Sequence, residues 1–380
     1  MESRSPNVVP GRILVRGTNW LGDAVMTTPA LLRLREKFPD AHISLLTPEK
    51  LREIWLNHPA VNEIIHFSPE ESFLDVAKKL RAGKFDVALV LPNSPRSAVE
   101  TLLARIPKRI GYTAPWRNFF LTQAVPPRPD TVKMRKRTVE EIKELISEKP
   151  ESKVRNSEFP KSSHQTHEYL HLAAALGANP EPLPPQLFVT PDEIASAAKK
   201  FGLDRISNPI IGLNPGAEYG PAKRWPTAKF VTAAREIRRR TNCVWLLVGG
   251  KNDVRFTNKI QKVLDGEPAV LNLAGKTTLR ELMALLKHCR VFLTNDTGPM
   301  HVAAALGVPV VAIFGSTSPE LTGPLSSDGL QHQIITASAP CSPCFLRKCP
   351  IDFRCMRGIR AERAAEAVIE SFNRSPHLTL

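Results

Sequence analysis

The sequence predicts an α/β protein with two Rossmann-like, doubly wound domains that face a cleft. In both halves of the chain, short runs of Val, Ile and Leu alternate with helical patterns. This alternation is typical of βαβ units on a parallel sheet. The length of 380 residues suits two domains that each bury a core. The proline-rich stretch 178–186, "ANPEPLPPQ", separates the halves, because proline lacks the N–H that a central strand needs.

The first domain is predicted over residues 11–180. Its candidate strands and helices are "RILVR", "AVMTTPALLRLREKF", "HISLL", "PEKLREIWLN", "NEIIHF", "SFLDVAKKLRAG" and "FDVALVL". Residues 126–165 break the alternation because they are polar, charged and poor in large apolar side chains. We predict a mobile insertion there, with a short helix around "TVEEIKELI". The "KMRKR" run within it is interpreted either as an anion contact or as a solvated face.

The second domain is predicted over residues 187–358. Its candidate elements are "PIIGLNPG", "TAKFVTAAREIRRR", "CVWLLVGG", "AVLNLAG", "LRELMALLKHC", "VFLTND", "MHVAAALG" and "VPVVAIFG". The ending "RAERAAEAVIESFNRS" predicts a C-terminal helix within residues 359–376, which we expect to pack back on the first domain. Ligands of such folds bind outside the carboxyl ends of the strands.

The balance of charge favours an acidic partner. Lys and Arg number 52 against 37 Asp and Glu, a formal net charge of +15. Nucleic acid, an anionic membrane surface and a phosphorylated substrate all fit this charge, and so does a soluble protein that is simply basic. Aromatic residues make up only 6% of the chain, which argues against nucleic acid, whose bases stack on aromatic side chains.

With no secretory signal and no transmembrane segment in the sequence, we expect a cytoplasmic protein, peripheral at most on a membrane. The sequence predicts no oligomeric state.

The run "VFLTNDTGPMHVAAALG" predicts a phosphate site. It gives a strand, a turn and a helix that begins near Pro299, and unpaired N–H groups at a helix start attract phosphate. The candidate phosphate-binding residues of this turn are Asp296, Thr297, Gly298 and His301. The alternative for Asp296 and Thr297 is ordinary helix capping.

A second loop, "IIGLNPGAEYGPAKRWP", follows the first strand of this domain. Gly216 shapes it, and Lys223 or Arg224 is expected to neutralise a departing diphosphate. After "CVWLLVGG", Asn252 and Asp253 are expected either to hydrogen-bond a ribose or to cap the next helix. The chain contains no Asp-x-Asp pair of the kind that holds Mg²⁺ on a diphosphate. We therefore predict catalysis with no metal and no other cofactor.

Four of the six cysteines crowd into "CSPCFLRKCPIDFRC". In a cytosolic chain, such a cluster points to a metal more than to disulfides. Its spacing does not match a standard zinc-finger pattern, so reduced structural thiols are favoured over a zinc site. The candidate zinc ligands of the alternative are Cys341, Cys344, Cys349 and Cys355.

The runs "RGTNWLGDAVMTTPALLRLREKFP", "NPGAEYGPAKRWP" and "NDTGPMHVAAALGVPVVAIFGSTSP" together resemble glycosyltransferase family 9, the ADP-heptose:lipopolysaccharide heptosyltransferases of Gram-negative bacteria. "LPNSPRSA" and the cysteine-rich tail are most similar to the heptosyltransferase II subgroup, which adds the second inner-core heptose. The resemblance covers nearly the whole chain apart from the charged insertion.

The resemblance implies the GT-B arrangement. An ADP-heptose donor is then held mainly by the C-terminal half, and a heptose of the lipid A–Kdo core, the acceptor, by the N-terminal half. Asp23 matches the catalytic acid of the Gly-Asp motif, and Lys223 matches the lysine that contacts the donor phosphates. Asp296, Thr297, Gly298 and His301 match the donor-binding turn. "GAEYG" stands where some relatives carry hydroxyl residues, so Ala217 and Glu218 have no assigned role.

Asp23 is the expected general base of an inverting glycosyl transfer, because inversion needs one carboxylate to take the acceptor proton. The alternative is that Asp23 only caps its helix. The expected acceptor-binding residues follow strands of the first half, where arginine suits the carboxylates and phosphates of the acceptor. They are Arg16, Asn19, Asn93, Ser94 and Arg96. For Asn93 and Ser94, local turn chemistry is nearly as good an explanation.

Two other classes of protein remain open from sequence. A nucleotide-sugar epimerase shares the expected fold and needs no acceptor sugar. A non-catalytic nucleotide-sugar-binding protein shares the two-lobed plan.

Overall fold

The computed structural model describes residues 9–147, 159–264, 270–325 and 330–374. The twelve strands of these residues are β1 (Arg12–Arg16), β2 (His42–Pro48), β3 (Glu63–Phe67), β4 (Val87–Val90), β5 (Lys108–Tyr112), β6 (Gln123–Val125), β7 (Ile210–Asn214), β8 (Val244–Leu247), β9 (Val270–Asn272), β10 (Cys289–Asn295), β11 (Val310–Ile313) and β12 (Gln333–Ile335). The helices are α1 (Leu21–Met26), α2 (Thr28–Lys37), α3 (Phe73–Ala82), α4 (Pro95–Leu103), α5 (Val139–Ser147), α6 (Thr166–Ala174), α7 (Pro191–Phe201), α8 (Thr227–Thr241), α9 (Val254–Leu264), α10 (Leu279–Leu286), α11 (Gly298–Ala305), α12 (Pro319–Thr322), α13 (Arg354–Arg357) and α14 (Ala361–Arg374). Among the described helices, none is both long enough and apolar enough to cross a membrane.

Each of two compact units contains one parallel sheet of six strands. In unit 1 the strand order is β3-β2-β1-β4-β5-β6, and in unit 2 it is β12-β11-β10-β7-β8-β9. The order reverses between β1 and β4 in the first sheet and between β10 and β7 in the second. Such switch points open a crevice at the carboxyl ends of the strands. The predicted α/β, doubly wound fold class is confirmed for both units.

The unit boundaries differ from the expected ones. Among the described residues, unit 1 runs to Thr131 and takes up the chain again over Gln165–Leu183, whereas unit 2 comprises Val132–His164 and the chain from Pro184 onward. The charged insertion was expected inside the first domain, but most of it belongs to the second unit. Two hydrogen bonds hold it there: Arg137 N donates to Cys344 O at 3.0 Å, and His164 Nε2 lies 3.0 Å from Gly323 O. The expected short helix of the insertion is present as α5, and residues 148–158 of the insertion lie outside the described part.

The helix after β1 is interrupted, although the sequence predicts one helix over "AVMTTPALLRLREKF". Pro29 has no N–H to donate to the carbonyl of Val25. The hydroxyl of Thr28 donates to Val25 O at 2.9 Å instead, and that of Thr27 donates to Ala24 O at 2.7 Å. The result is the short helix α1 followed by α2.

Several of the described helices start with a capping box, which the pattern Ser/Thr-x-x-Asp/Glu explains. At α5, Glu141 N donates to the Thr138 hydroxyl at 3.2 Å and Thr138 N donates to Glu141 Oε2 at 2.7 Å. Ser72, Thr190 and Thr278 accept hydrogen bonds from the backbone N–H three residues later. The acidic side chains at those positions accept in return from the capping residues' own N–H groups. These caps define where α3, α7 and α10 begin.

The C-terminal helix α14 packs on the core of unit 2, and its expected packing on the first domain stays a prediction. Its buried side chains, including Val368 and Phe372, share one apolar core with Trp225 and Phe230. Trp225 Nε1 donates to Ile359 O at 3.2 Å just before the helix. The alanine-rich face of α14 allows this close approach to α8, since small side chains bring helix axes together. Residues 375 and 376 of the expected helix lie outside the described part.

His58 gives unit 1 an acid-sensitive point. Its side chain is 3% exposed and packs edge-on against Trp55, while its Nδ1 accepts from Ala60 N at 3.3 Å. Burial lowers the pKa of His58 from 6.5 to about 4. The folded state therefore holds His58 neutral where the unfolded chain already takes up a proton.

We expect the free energy of unfolding to fall as the pH is lowered from about 6.5 to about 4. His58 contributes roughly 2 to 3 kcal/mol of that fall by linkage. In His58→Asn, which keeps an acceptor for Ala60 N, the difference in unfolding free energy from wild type should be largest at pH 8 and shrink toward pH 4. Urea unfolding at both pH values measures this, and the pH 8 value isolates the loss of packing. A difference that stays constant with pH would contradict the assignment.

Candidate active site

The carboxyl ends of β7 and β10 bring a buried ion pair together in unit 2. Lys223 Nζ lies 2.6 Å from Asp296 Oδ2, and both side chains are largely buried. Thr317 donates its hydroxyl to the same carboxylate oxygen at 2.5 Å. The predicted donor lysine and the predicted donor-turn aspartate therefore form one centre. Thr317, on the loop after β11, belongs to this centre, and the "GSTSP" run after that strand was the available signal for it.

Asn295 holds the two loops of this centre together. It is fully buried, and its Nδ2 donates to Pro215 O at 2.9 Å and to Gly216 O at 3.2 Å. Its Oδ1 accepts from Trp225 N at 3.1 Å. A buried amide with this many partners fixes the separation of the loops that carry Lys223 and Asp296. The sequence prediction missed this role, although Asn295 directly precedes Asp296.

The turn after β10 leads into α11, and its expected role as a phosphate site stays a prediction. Thr297 is the N-cap residue of α11, yet its side chain makes no capping hydrogen bond, and Asp296 directs its carboxylate to Lys223 and Thr317. The alternative that these two side chains only cap the helix is therefore wrong. Gly298 is the first residue of α11, and His301 follows in the first turn. Burial lowers the pKa of His301 to about 4, against the opposing charge of Asp296, so His301 is neutral near pH 7.

Gly216, in the loop after β7, lies against the side chain of Asp253, which follows β8. A Cβ at position 216 would overlap the Asp253 carboxylate, so a larger residue there would have to displace that side chain. Asp253 accepts from Gly250 N at 3.1 Å. Burial raises the pKa of its carboxyl, and the hydrogen bond from Gly250 and the charge of Arg224 oppose that change. The capping alternative thus describes Asp253 in this structure, and the ribose contact stays a prediction.

Asn252 is exposed beside a basic groove of unit 2. The groove has a volume of about 650 Å³. Its lining residues are Arg224, Lys251, Asn252, Val254, Arg255 and Asn258. The guanidinium of Arg224 also lies over the ring of Phe256 and donates to Ala217 O at 3.0 Å.

Asp23 occupies the first turn of α1 in unit 1. The N-cap of that helix is Trp20, so Asp23 lies inside the helix rather than at the capping position. Burial, and then the charge of Asp23, raise the pKa of the Tyr169 phenol on α6. Gln165 Nε2 donates to the Tyr169 hydroxyl at 2.8 Å. No local pattern in the sequence links Tyr169 to Asp23.

Both predicted acceptor-binding arginines make internal ion pairs. Arg16 is 2% exposed; its Nε lies 3.1 Å from Glu100 Oε2, and its Nη1 donates to Asn19 Oδ1 at 2.9 Å. Arg96 Nε lies 2.9 Å from the other carboxylate oxygen, Glu100 Oε1. Arg16 is thus a buried residue that shapes the loop before α1, which corrects its expected role as a direct contact. Asn19 and Arg96 remain exposed.

Asn93 and Ser94 follow β4 and are exposed. Ser94 caps α4 by accepting from Ser97 N at 3.3 Å, as the alternative of local turn chemistry expects. Asn93 Oδ1 accepts from Arg117 Nη1 at 3.5 Å. Arg117 is fully buried, donates to Val90 O at 3.1 Å and to Tyr112 O at 2.5 Å, and has a pKa lowered by burial to about 10. Nothing in "PWRNFF" signalled this supporting arginine.

The four clustered cysteines line one small cavity of unit 2, with a volume of about 10 Å³. Burial raises the pKa of Cys341, Cys344 and Cys355, the last to about 12, so these are protonated thiols. Phe353 N donates to Cys349 Sγ at 3.3 Å. Within the described ranges, no three His, Cys, Asp or Glu side chains are grouped so as to hold a metal ion. The zinc alternative stays a prediction.

Comparison with known proteins supplies the family. The model of glycosyltransferase family 9 (heptosyltransferase) matches residues 73–353. Lipopolysaccharide heptosyltransferase 2 of Salmonella typhimurium is 33% identical over 334 residues, which cover 86% of this chain and 88% of that protein. Lipooligosaccharide heptosyltransferase 2 of Haemophilus influenzae is 32% identical over 324 residues, covering 83% and 86%.

Among solved structures, that of E. coli ADP-heptose lps heptosyltransferase II matches with a TM-score of 0.74 and 30% identity. The match covers 96% of this chain and 99% of that one. The resemblance read from the three sequence motifs is confirmed, and this chain belongs to glycosyltransferase family 9, the heptosyltransferases.

Proposed function

We propose that this protein transfers a heptose from ADP-heptose to a heptose of the lipid A–Kdo inner core, in lipopolysaccharide biosynthesis, with inversion at the anomeric carbon. The observation that carries the proposal is the buried Lys223–Asp296–Thr317 centre beside the first turn of α11. A lysine and unpaired helix N–H groups at the carboxyl edge of a doubly wound sheet suit a diphosphate. The names of the relatives supply the heptose and its acceptor.

The reaction needs a base on the acceptor and a stabilised leaving group. The acceptor hydroxyl oxygen attacks the anomeric carbon, the bond from that carbon to the ADP oxygen breaks, and the hydroxyl proton passes to the Asp23 carboxylate. The negative charge that develops on the departing diphosphate is stabilised by Lys223 and by the N–H groups that open α11. Unit 1 supplies the base and unit 2 holds the donor.

No metal or other cofactor is assigned to this reaction. In the sequence, an Asp-x-Asp pair is absent, and the lysine and the helix start supply positive charge where the leaving group departs. Because the acceptor carries a lipid, we propose that the enzyme works in the cytoplasm at the surface of the inner membrane. The excess of basic side chains favours such an anionic surface.

The reaction is tested by incubation of the protein with ADP-heptose, with and without a Kdo–heptose acceptor, followed by mass spectrometry. Heptosylated acceptor and ADP, formed only when the acceptor is present, are expected. A donor that changes without acceptor would instead identify an epimerase. Binding of ADP-heptose with neither change would identify a non-catalytic binding protein.

Asp23→Asn should keep the fold and the donor affinity but lower kcat by about 10²-fold or more, because the amide accepts no proton at neutral pH. Transfer rates and ADP binding, measured on the same preparation, check this. Asp40→Asn, at an exposed acid of the same unit, is the matched control and should transfer normally. Turnover of Asp23→Asn near the wild-type rate would remove Asp23 from the mechanism.

Lys223→Ala should weaken ADP binding by about tenfold or more. It should also slow the step in which the bond from the anomeric carbon to ADP breaks. The change leaves Asp296 without its cation, which adds repulsion of the diphosphate. Calorimetric titration with ADP and steady-state kinetics measure both effects, and a thermal melt verifies folding. Lys199→Ala, at an exposed lysine of α7, is the control. An effect on the acceptor KM alone would reverse the assignment of donor and acceptor to the two units.

A further inference from the structure

We propose that Arg347 is a second cation of the donor diphosphate site, acting beside Lys223; this rests on the proposed function of that site. Arg347 lies in the cysteine-rich segment, which the sequence motifs assign to no substrate. The inference follows from where this segment is held and from the charge that Lys223 leaves uncompensated on a diphosphate.

Lys223 and Arg347 share one aromatic neighbour. Lys223 Nζ lies 4.9 Å from the centre of the Tyr219 ring, and the Arg347 guanidinium carbon lies 5.2 Å from the same centre. Cations at these distances are attracted by the ring's negative face. Tyr219 therefore gathers two positive side chains at the loop that follows β7.

The backbone of Arg347 is fixed on that loop. Its carbonyl oxygen accepts from Ala222 N at 3.0 Å. Gly220, with φ of +151°, passes so close that a Cβ there would overlap the Arg347 carbonyl, and this explains why the loop has a glycine at this position. Tyr219 also donates its hydroxyl to Phe345 O at 2.7 Å. Arg347 and Lys223 thus stand on two segments that are bonded to each other next to the ion pair.

The other end of the segment is tied to the loop after β11. Cys344 N and Phe345 N donate to Ser316 O at 3.1 and 2.7 Å, and the next residue, Thr317, donates to Asp296. The segment therefore lies along the carboxyl edge of the sheet, where the loops after β7, β10 and β11 meet. This is the edge at which ligands of doubly wound sheets bind.

The net positive charge at this edge of the sheet is too small to balance a diphosphate. Lys223 is already paired with Asp296 at 2.6 Å, so the pair brings little net positive charge to a diphosphate that carries at least two negative charges. Arg347 has an exposed side chain, and a guanidinium binds phosphate oxygens through two parallel hydrogen bonds. Arg347 supplies the charge that the lysine–aspartate pair lacks, and it binds the phosphate farther from the adenosine.

The test compares ADP with AMP, because only ADP carries the second phosphate. Calorimetric titrations are run on wild type, Arg347→Gln, Arg347→Lys and Lys348→Gln, the last as the control at the neighbouring exposed lysine. We expect Arg347→Gln to weaken ADP binding about tenfold while AMP binding changes less than about threefold. Arg347→Lys should recover part of the loss, and Lys348→Gln should match wild type.

A merely structural role gives a different result. If Arg347 only supports the loop through Tyr219, Arg347→Gln weakens ADP and AMP equally, and the proposal is overturned. Unchanged ADP binding overturns it as well. Wild type that binds ADP but transfers no heptose would reject the proposed function, and the contrast between ADP and AMP would still decide the role of Arg347.

Discussion

The side chain of Asn295 is the constraint on which the Lys223–Asp296 ion pair depends. It joins three backbone groups that belong to the two ends of the loop after β7, namely Pro215 O, Gly216 O and Trp225 N. Between those ends lie Tyr219, Gly220 and Lys223. Because Asn295 is also the last residue of β10, its neighbour Asp296 emerges beside the lysine. An amide suits this place, since it donates and accepts at once and carries no charge that burial would penalise.

In unit 1, the buried side chain that holds its neighbours in place is Glu100. It is fully buried and receives Arg16 on one oxygen and Arg96 on the other. Burial lowers the pKa of Arg16, and the charge of Glu100 opposes that change. A buried charge without a partner is costly, so the glutamate keeps both arginines in place. Through Arg16 and Asn19 this arrangement shapes the loop that leads to Asp23.

Much of the fold could be read from the sequence because its central strands are short apolar runs. "RILVR", "FDVALVL" and "VFLTND" are buried on both faces in the sheets, and so each stands out without an alternating pattern. β5, β6 and β12 escaped prediction. "KRIGY" begins with two charges, and "QAV" and "QII" have three residues each, too few to show a period.

Site residues that lie in a recognisable sequence motif could be predicted. Those whose role depends on contacts between distant segments could not. Lys223, Asp296 and Gly216 lie in loops whose glycines and charges follow apolar strands, and the structure brings Lys223 and Asp296 into contact. Arg16 looked like a ligand contact because it ends a strand, but its partner Glu100 is on α4, and no local pattern pairs them. Arg117 and Tyr169 also could not be predicted from a local pattern, since their neighbours come from other elements. The placement of the insertion failed for the same reason.

The path of the insertion has a consequence for biosynthesis. The chain leaves unit 1 after Thr131, contributes α5 to unit 2 and returns at Gln165. On the ribosome, Ile142 therefore emerges long before Cys341 and Cys344, the side chains that bury it. Closing so large a loop is slow, and the nascent first unit must carry this unfinished stretch until nearly the whole polypeptide has been made.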